Sequence, residues 1–376
     1  MAPDPEEAFE RWMAVCLRAG VIPMLPAERV ELVDAHGRSL ARAVPALRTE
    51  PAADCAAMDG IALRAAEARL PIPALQFALI DTGQRIPDGF DAVCPHERVS
   101  FHDTTAVVDG PISAGDSIRR AGESFHLGDE LLADGARLTP YALALAASAG
   151  HVELDVRRRP HVIVIPTGDE LRPLGAAEGV IETNSLMVRA QAEECGAAVT
   201  VRPTIADDRA WIAEAVAAAS RQSDLVLLLS GSSAGRRDHA QAVLDEIGEI
   251  AVAGVGMRPG HPVILAAGPA APVIALPGYP VAAALAFRLF GVRLIRRLLG
   301  HVAPGRGMLI ELAEPIEGHR SATLVVPVRS LADGRFAPLP RRSSALASLA
   351  NASAVVTLAP GTSAAAGDRV PADPLA

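Results

Sequence analysis

The fold class is decided by residues 161–171, which read HVIVIPTGDEL. Four consecutive β-branched residues run into a turn, and such a run is typical of a strand that is buried on both faces. Two similar runs follow, DLVLLLS at 224–230 and PVIAL at 272–276, with helical segments between them. The region 157–300 therefore predicts a parallel-rich sheet that is covered by helices on both faces.

The sequence on either side of this region has a different texture. Residues 28–138 alternate short apolar runs with Gly and Asp turns, which predicts a β-rich module. Residues 5–19 carry an apolar stripe at helical spacing, and 139–150 predict a second helix with Thr139 as its cap. Residues 308–376 resemble a small all-β module. The prediction is a multidomain α/β plus β protein.

Composition excludes several function classes. The formal charge is −9, with 35 basic against 44 acidic residues, which argues against general binding of nucleic acids or of anionic membranes. Lysine is absent from the sequence, so no Schiff-base or Walker-A lysine exists. The four cysteines lie far apart, and no apolar run approaches the length of about 18 residues that spans a bilayer. We expect a soluble, cytoplasmic protein.

Three predicted strands end in unusual loops, and in parallel α/β sheets ligands collect at these ends. The first loop holds Thr167, Gly168, Asp169 and Glu170. A hydroxyl and two adjacent carboxylates suit a metal or a ligand amino group. An ordinary turn with solvated acids explains the loop equally well.

The second loop carries Ser230, Gly231, Ser232 and Gly235 to a helix that starts near Asp238. Backbone N–H groups before a helix N-terminus can bind an anion, although a flexible loop with an Asp cap is the plainer interpretation.

The third loop turns at Pro277-Gly278, and Pro280 then begins a helix. A purely structural turn is the alternative here. Nearby, Arg258 and His261 flank a Pro259-Gly260 turn, so a cation and a proton-shuttling group predict an oxyanion site. A lone histidine such as His261 is more often a surface residue.

Six motifs in order resemble one family. Each is weak alone, but their order and spacing agree over nearly the whole chain. They are AAMDG (56–60), RRAGES (119–124), PTGDEL (166–171), SGSSAGRRD (230–238), RPGHP (258–262) and LPGYP (276–280). The chain is similar to the molybdopterin molybdenumtransferases of the MoeA and gephyrin E-domain type.

The resemblance implies four domains and a homodimer whose cleft takes residues from both subunits. Residues 1–43 and 139–156 would form a split, elongated helical domain, with a β-rich domain inserted at 44–138. Residues 157–300 would form the molybdopterin-binding domain of the MoaB/Mog type, and 304–376 a C-terminal β domain.

The resemblance also implies a reaction, in which molybdate enters adenylylated molybdopterin and AMP leaves with the help of Mg²⁺. Asp59, Glu170, Asp238 and Arg258 would be catalytic. The metal would be held by Asp59, Asp169, Glu170 and Asp238. The molybdopterin would be bound by Thr167, Gly168, Asp169, Ser230, Gly231, Ser232, Gly235, Pro259, Gly260, His261, Pro277, Gly278 and Pro280.

Several positions depart from the family pattern. Ser124 stands where the family has a carboxylate, Arg258 and His261 replace two lysines, and Tyr279 replaces an asparagine. Three hypotheses follow. The chain is an active insertase; or a catalytically degenerate paralogue that carries molybdopterin or scaffolds a molybdoenzyme; or an unrelated doubly wound protein that binds another phosphorylated ligand. The partner would be a molybdoenzyme client or a molybdopterin adenylyltransferase, and the sequence does not decide between molybdenum and tungsten.

Overall fold

The computed structural model describes residues 2–23, 25–68, 71–229, 237–301, 307–340, 342 and 345–375, with the backbone alone at 237 and 238. Contacts divide the chain into two compact units. The larger unit joins Met1–Ala27 to Arg157–Ala376, and the smaller unit is Glu28–Val156. No helix of the described ranges is long and apolar enough to cross a bilayer.

Side-chain caps mark the starts of the first, second and fourth helices. The Asp4 carboxylate accepts a hydrogen bond from Glu7 N at the start of the first helix, and Thr139 caps the second as predicted. The helices are α1 (Pro5–Arg18), α2 (Pro140–Ser148), α3 (Asn184–Glu194), α4 (Arg209–Ser220), α5 (Arg237–Ile247), α6 (Pro280–Phe287), α7 (Arg293–Leu298) and α8 (Leu346–Ala350). A π-helical turn at Arg288–Val292 joins α6 to α7.

The smaller unit is built mainly from short strands, which confirms the β-rich prediction. Its strands are β1 (Ala27–Glu31), β2 (Val44–Pro45), β3 (Cys55–Ala56), β4 (Gly60–Leu63), β5 (Ile72–Pro73), β6 (Phe77–Ile80), β7 (Ala92–Pro95), β8 (Val99–His102), β9 (Thr105–Val108), β10 (Ile118–Arg119), β11 (Glu130–Leu132) and β12 (Glu153–Arg157). They form two three-stranded sheets, β6-β4-β7 and β5-β9-β8, and three two-stranded pairs, β1-β12, β2-β11 and β3-β10. Buried side chains such as Ile61, Leu63 and Cys94 form one of its cores.

The larger unit contains two six-stranded sheets and one pair, β14-β15. Its strands are β13 (His161–Pro166), β14 (Leu171–Arg172), β15 (Val180–Ile181), β16 (Ala198–Val201), β17 (Leu225–Leu229), β18 (Glu249–Ala253), β19 (Met257–Arg258), β20 (Ile264–Ala267), β21 (Pro272–Leu276), β22 (Met308–Glu311), β23 (Thr323–Ser330), β24 (Phe336–Pro338), β25 (Ala354–Leu358) and β26 (Arg369–Pro374).

The first sheet of this unit has the order β16-β13-β17-β21-β20-β18. Its first four strands are parallel, which confirms the parallel-rich prediction, whereas β20 is antiparallel to both β21 and β18. Connection length explains the change of direction. Parallel neighbours need a crossover of about a dozen residues or more, and only residues 268–271 separate β20 from β21.

Both faces of this sheet are buried, as the unbroken apolar runs predicted. Ile163 and Ile165 pack with α4 and α5 on one face, and Val162 and Val164 pack with α1, α3 and α6 on the other. The resemblance assigned residues 1–43 to the split helical domain. In the structure, Trp12 of α1 donates from Nε1 to Ala266 O of β20 at 2.8 Å, so this helix packs on the α/β sheet. The four domain boundaries stay a prediction.

The second sheet is the predicted C-terminal β module, with the order β19-β23-β25-β26-β22 and with β24 on β23. Its edge strand β19 comes from the sequence between β18 and β20. It pairs with β23 in parallel register, Met257 with Thr323 and Arg258 with Leu324. This pairing brings the C-terminal module beside the RPGHP segment.

Candidate functional site

A cavity of about 600 Å³ in the larger unit lies where the RPGHP loop, the LPGYP loop and a turn of the C-terminal sheet meet. Five residues predicted to bind a ligand line it together: Arg258, Pro259, Gly260, His261 and Pro277. Its other lining residues are Met257, Pro262, Tyr279, Ala282, Glu317, Gly318, His319 and Leu324. Gly278 and Pro280 belong to the LPGYP loop but are not among the lining residues.

The RPGHP loop is folded tightly by its own backbone. Val263 N donates to Gly260 O at 3.1 Å, and Val255 N donates to His261 O at 2.9 Å. The His261 Nδ1 atom lies 2.6 Å from Val255 O. The Arg258 side chain is exposed, and its guanidinium has no hydrogen-bond acceptor within the described part of the chain. The Arg258 guanidinium is therefore available to bind an anionic ligand at this wall of the cavity.

Asn184 ties the LPGYP loop to the start of α3. Its Nδ2 donates to Gly278 O at 2.8 Å, while Pro277 is buried and Tyr279 is half-exposed. Asn184 is itself buried, and its Oδ1 atom has no hydrogen-bond partner among the residues that the structure covers. Buried amide oxygens are normally satisfied, but Asn184 is not among the residues that line the cavity. Asn184 was not among the predicted site residues.

The PTGDEL loop follows β13, and Thr167 anchors it. Thr167 is buried, and both its backbone N and its Oγ1 donate to Leu229 O, at 2.9 and 3.1 Å. Gly168 has φ +146, and a Cβ there would lie 2.9 Å from Glu170 Oε2. The Glu170 carboxylate thus folds back over a position that only glycine fits.

Asp169 forms a reciprocal pair with Asp207 at the same edge of the sheet. Asp169 N donates to Asp207 Oδ2 at 3.1 Å, and Asp207 N donates to Asp169 Oδ1 at 3.3 Å. Within the described ranges, no three His, Cys, Asp or Glu side chains come together as a metal site. The side chain of Asp238, and the whole of Ser230, Gly231, Ser232 and Gly235, lie outside the described residues.

Asp59 belongs to the smaller unit, where strand pairing brings its motif beside RRAGES. The β3-β10 pair sets Cys55 opposite Arg119, close to both motifs. Thr82 donates to Asp59 Oδ1 from its hydroxyl at 2.7 Å and from its backbone N at 2.6 Å. These two bonds hold the pKa of the exposed Asp59 carboxyl below its usual range, so it is ionised at neutral pH.

Ser124 stands where the family pattern has a carboxylate, and it contacts an arginine. Arg119 donates to Ser124 Oγ at 3.1 Å and to Glu123 Oε1 at 3.4 Å. The neighbouring Arg120 binds Asp54 at 2.7 Å. The RRAGES segment therefore keeps a polar network although one carboxylate is absent.

His319 and Glu317 were missed by sequence reasoning. They lie far along the chain from RPGHP, in a turn before β23 that carries no recognisable motif. Only the pairing of β19 with β23 places them at the cavity.

Comparisons with known proteins extend over most of the chain. Residues 4–150 match the MoeA N-terminal region (domain I and II), and residues 163–297 match a probable molybdopterin binding domain. The chain is 31% identical over 337 residues to molybdopterin molybdenumtransferase 2 of Mycobacterium tuberculosis, covering 80% of each protein. It is 30% identical over 310 residues to the molybdopterin molybdenumtransferase of Haemophilus influenzae, covering 75% of this chain and 76% of that protein.

Solved structures share the fold. A molybdopterin biosynthesis moeA protein from Pyrococcus horikoshii OT3 superposes with a TM-score of 0.83 at 22% identity, covering 99% of both chains. A second molybdopterin biosynthesis moea structure from Pyrococcus gives a TM-score of 0.78 at 24% identity, covering 100% of this chain and 99% of that one. This likeness supports the multidomain α/β plus β assignment.

Proposed function

The chain belongs to the molybdopterin molybdenumtransferase family, and we propose that it is a transferase of molybdenum cofactor biosynthesis, which inserts molybdate into adenylylated molybdopterin and releases AMP. The observation that carries this proposal is the cavity of about 600 Å³, whose walls combine an exposed guanidinium with two family loops. Its volume lies within the range of about 300–1,000 Å³ that is usual for small-molecule sites.

Arg258 is the residue that we assign to the oxyanion. A guanidinium stays charged at any physiological pH and offers several N–H donors in one plane, so it can hold a tetrahedral dianion such as molybdate. The apolar walls of the cavity, such as Met257 and Leu324, lower the local dielectric and strengthen that attraction. His261 and Tyr279 lie beside it and can exchange protons with bound oxygens.

We assign the phosphate-side metal to the PTGDEL loop, as carboxylate chemistry suggests. Mg²⁺ takes oxygen ligands, often one or two carboxylates with several waters. Asp169 and Glu170 are adjacent carboxylates at the end of β13, and α5 with Asp238 follows the parallel neighbour β17. When bound, Mg²⁺ would neutralise phosphate charge and make AMP a better leaving group. Asp59 would complete the set across the dimer.

The decisive experiment is a single-turnover assay with purified adenylylated molybdopterin, molybdate and Mg²⁺, in which AMP release is followed beside pterin binding. We expect AMP release that depends on Mg²⁺. Arg258→Ala should slow it by about a hundredfold, because one preorganised charge on the reacting oxyanion is lost. Arg258→Lys, which restores the residue typical of the family, should recover most of the rate.

Two outcomes would redirect the proposal. Tight pterin binding without AMP release would identify the chain as a degenerate carrier or scaffold. If no pterin binds, the assignment of molybdopterin as the ligand is wrong. Arg221→Ala is the matched control, since Arg221 is also exposed but lies at the end of α4, away from the cavity. It should leave the rate unchanged.

We also propose that the active form is a homodimer, because the resemblance places residues of both subunits in one cleft. Light scattering after size exclusion should give twice the chain mass of 39.0 kDa. Mixing Asp59→Ala with Glu170→Ala chains should then restore part of the activity that each variant lacks alone. A monomeric, fully active chain would contradict this arrangement.

A further inference from the structure

His319 lines the same cavity as Arg258 and His261, although it belongs to the C-terminal sheet. Its turn is fixed on two sides. Thr323 N donates to Gly256 O at 2.8 Å, next to the β19-β23 pair, and Gly361 N donates to His319 O at 2.8 Å. These two bonds fix the backbone of the turn that carries this imidazole.

Gly318, the residue before His319, lies in close contact with a neighbouring segment of backbone. Gly318 N donates to Ser363 Oγ at 2.9 Å, and a Cβ on Gly318 would lie 1.7 Å from Thr362 O. Only glycine allows this close approach of two backbones. The backbone that carries the imidazole is thus packed directly against residues 362 and 363.

The two cavity histidines are held in opposite tautomers. The His319 Nδ1 atom lies 3.3 Å from Ser321 N, which can only donate, so Nδ1 accepts and a neutral ring carries its proton on Nε2. The His261 Nδ1 atom lies 2.6 Å from Val255 O, which can only accept, so Nδ1 carries the proton. A neutral His261 therefore has a bare Nε2.

We propose that His319 Nε2–H donates to the tetrahedral oxyanion in this cavity, whereas the bare Nε2 of a neutral His261 does not. The proposal rests on the proposed function for the choice of an oxyanion ligand. The other polar groups at the cavity are the Arg258 guanidinium, the Tyr279 hydroxyl and the Glu317 carboxylate. Arg258 attracts the anion at every pH, and Glu317 opposes close approach on the His319 side.

The test is a calorimetric titration of the full chain with sodium molybdate at pH 8. His319→Gln places a side-chain N–H near the position of Nε2, and His319→Asn places one near Nδ1 instead. We expect Gln to keep the affinity within about threefold and Asn to lose about tenfold, the effect of one hydrogen bond to a charged group.

Equal affinities of the Gln and Asn variants of His319 would overturn the proposal, as would an unmodified chain that binds neither molybdate nor phosphate. Melting temperatures of both variants establish that they are folded.

Repeating the titration with inorganic phosphate distinguishes two sources of the anion. A preference for molybdate assigns His319 to the metal oxyanion, and a preference for phosphate assigns it to the phosphate of the pterin, both as a donor. Since no pterin is present, failure here leaves AMP release as a separate test of the function.

Discussion

Gly260 adopts φ +114 in the RPGHP turn, and a Cβ there would lie 2.7 Å from Met257 Cε. We predict that Gly260→Ala lowers the free energy of unfolding by about 2–4 kcal/mol, through left-handed strain together with the clash. Urea denaturation measures the change. Gly361→Ala is the matched control, because its φ is +75 but open space surrounds its Cβ position. It should cost about 1 kcal/mol from strain alone. Equal costs would mean that the turn absorbs the clash.

Cys16 is fully buried on the inner face of α1, and burial raises the pKa of its thiol to about 12, with the Glu249 carboxylate as a smaller cause. The thiolate is the reactive form, so Cys16 should resist iodoacetamide in the folded protein up to pH 10. Mass spectrometry of tryptic peptides would show its modification only after denaturation. Because the raised pKa keeps the folded thiol neutral while the unfolded thiol ionises above about pH 9, it lowers stability between pH 9 and 12. Modification of Cys16 at pH 8 without unfolding would contradict this assignment.

At the scale of elements, α1 covers one face of the α/β sheet at its antiparallel edge. Trp12 contributes buried area and the bond from its Nε1 to Ala266 O. We predict a loss of about 1 kcal/mol for Trp12→Phe and about 3–5 kcal/mol for Trp12→Ala, measured by urea denaturation followed by circular dichroism. Trp211→Ala on α4 is the matched control, because that ring is 61% exposed, and it should change stability by less than about 0.5 kcal/mol. Similar losses at both tryptophans would show that α1 is not docked.

A second long-range interaction, centred on a buried carboxylate, holds the start of β17 beside β13. Arg158 donates to both oxygens of the buried Asp224 carboxylate, at 2.8 and 2.9 Å, and His161 N donates to Oδ2 at 2.7 Å. Asp224→Ala should lower the free energy of unfolding by about 3 kcal/mol, because it leaves a backbone donor and a half-buried guanidinium without their acceptor. The double variant with Arg158→Met should recover part of this loss. No recovery would assign the loss to the backbone bond alone.

The sequence predicts a helix or a strand well where one physical effect dominates its formation. The apolar runs of β13, β17 and β21 and the capped start of α2 were predicted correctly because burial and capping act locally. The antiparallel β20 required attention to the short connection before β21. The docking of α1 on β18 and β20 was not predictable, since an apolar helical stripe does not state which surface it covers.

At the scale of the whole molecule, the cavity collects residues from three distant parts of the chain. Arg258, His261 and Pro277 were predicted because each stands in a motif that follows or precedes a strand. His319 was not, because its place at the cavity depends on the pairing of β19 with β23. Asn184, which does not line the cavity but holds the LPGYP loop, was also missed because its contact is made at long range. Motifs mark loops, whereas the partners that face them are set by tertiary structure.

The contact between Asn184 and the LPGYP loop can be tested by substitution. Its buried Oδ1 atom is unsatisfied within the described part of the chain, and its Nδ2 holds Gly278. Asn184→Asp keeps an acceptor but removes the donor to Gly278, so we expect pterin affinity to fall about tenfold with little change in molybdate affinity. Isothermal titration with each ligand measures both. Parallel losses for the two ligands would mean that the loop as a whole has moved.

The two-residue strand β19 has a consequence for how such chains can be recombined. The edge of the C-terminal sheet is supplied by Met257 and Arg258, which lie before β20 in the sequence. If residues 307–376 were replaced by those of a relative, the new sheet would therefore have to pair with a β19 strand that was not exchanged with it. We expect the exchange to succeed only if residues 255–262 are exchanged together with 307–376, although β20, β21, α6 and α7 separate the two stretches in the sequence.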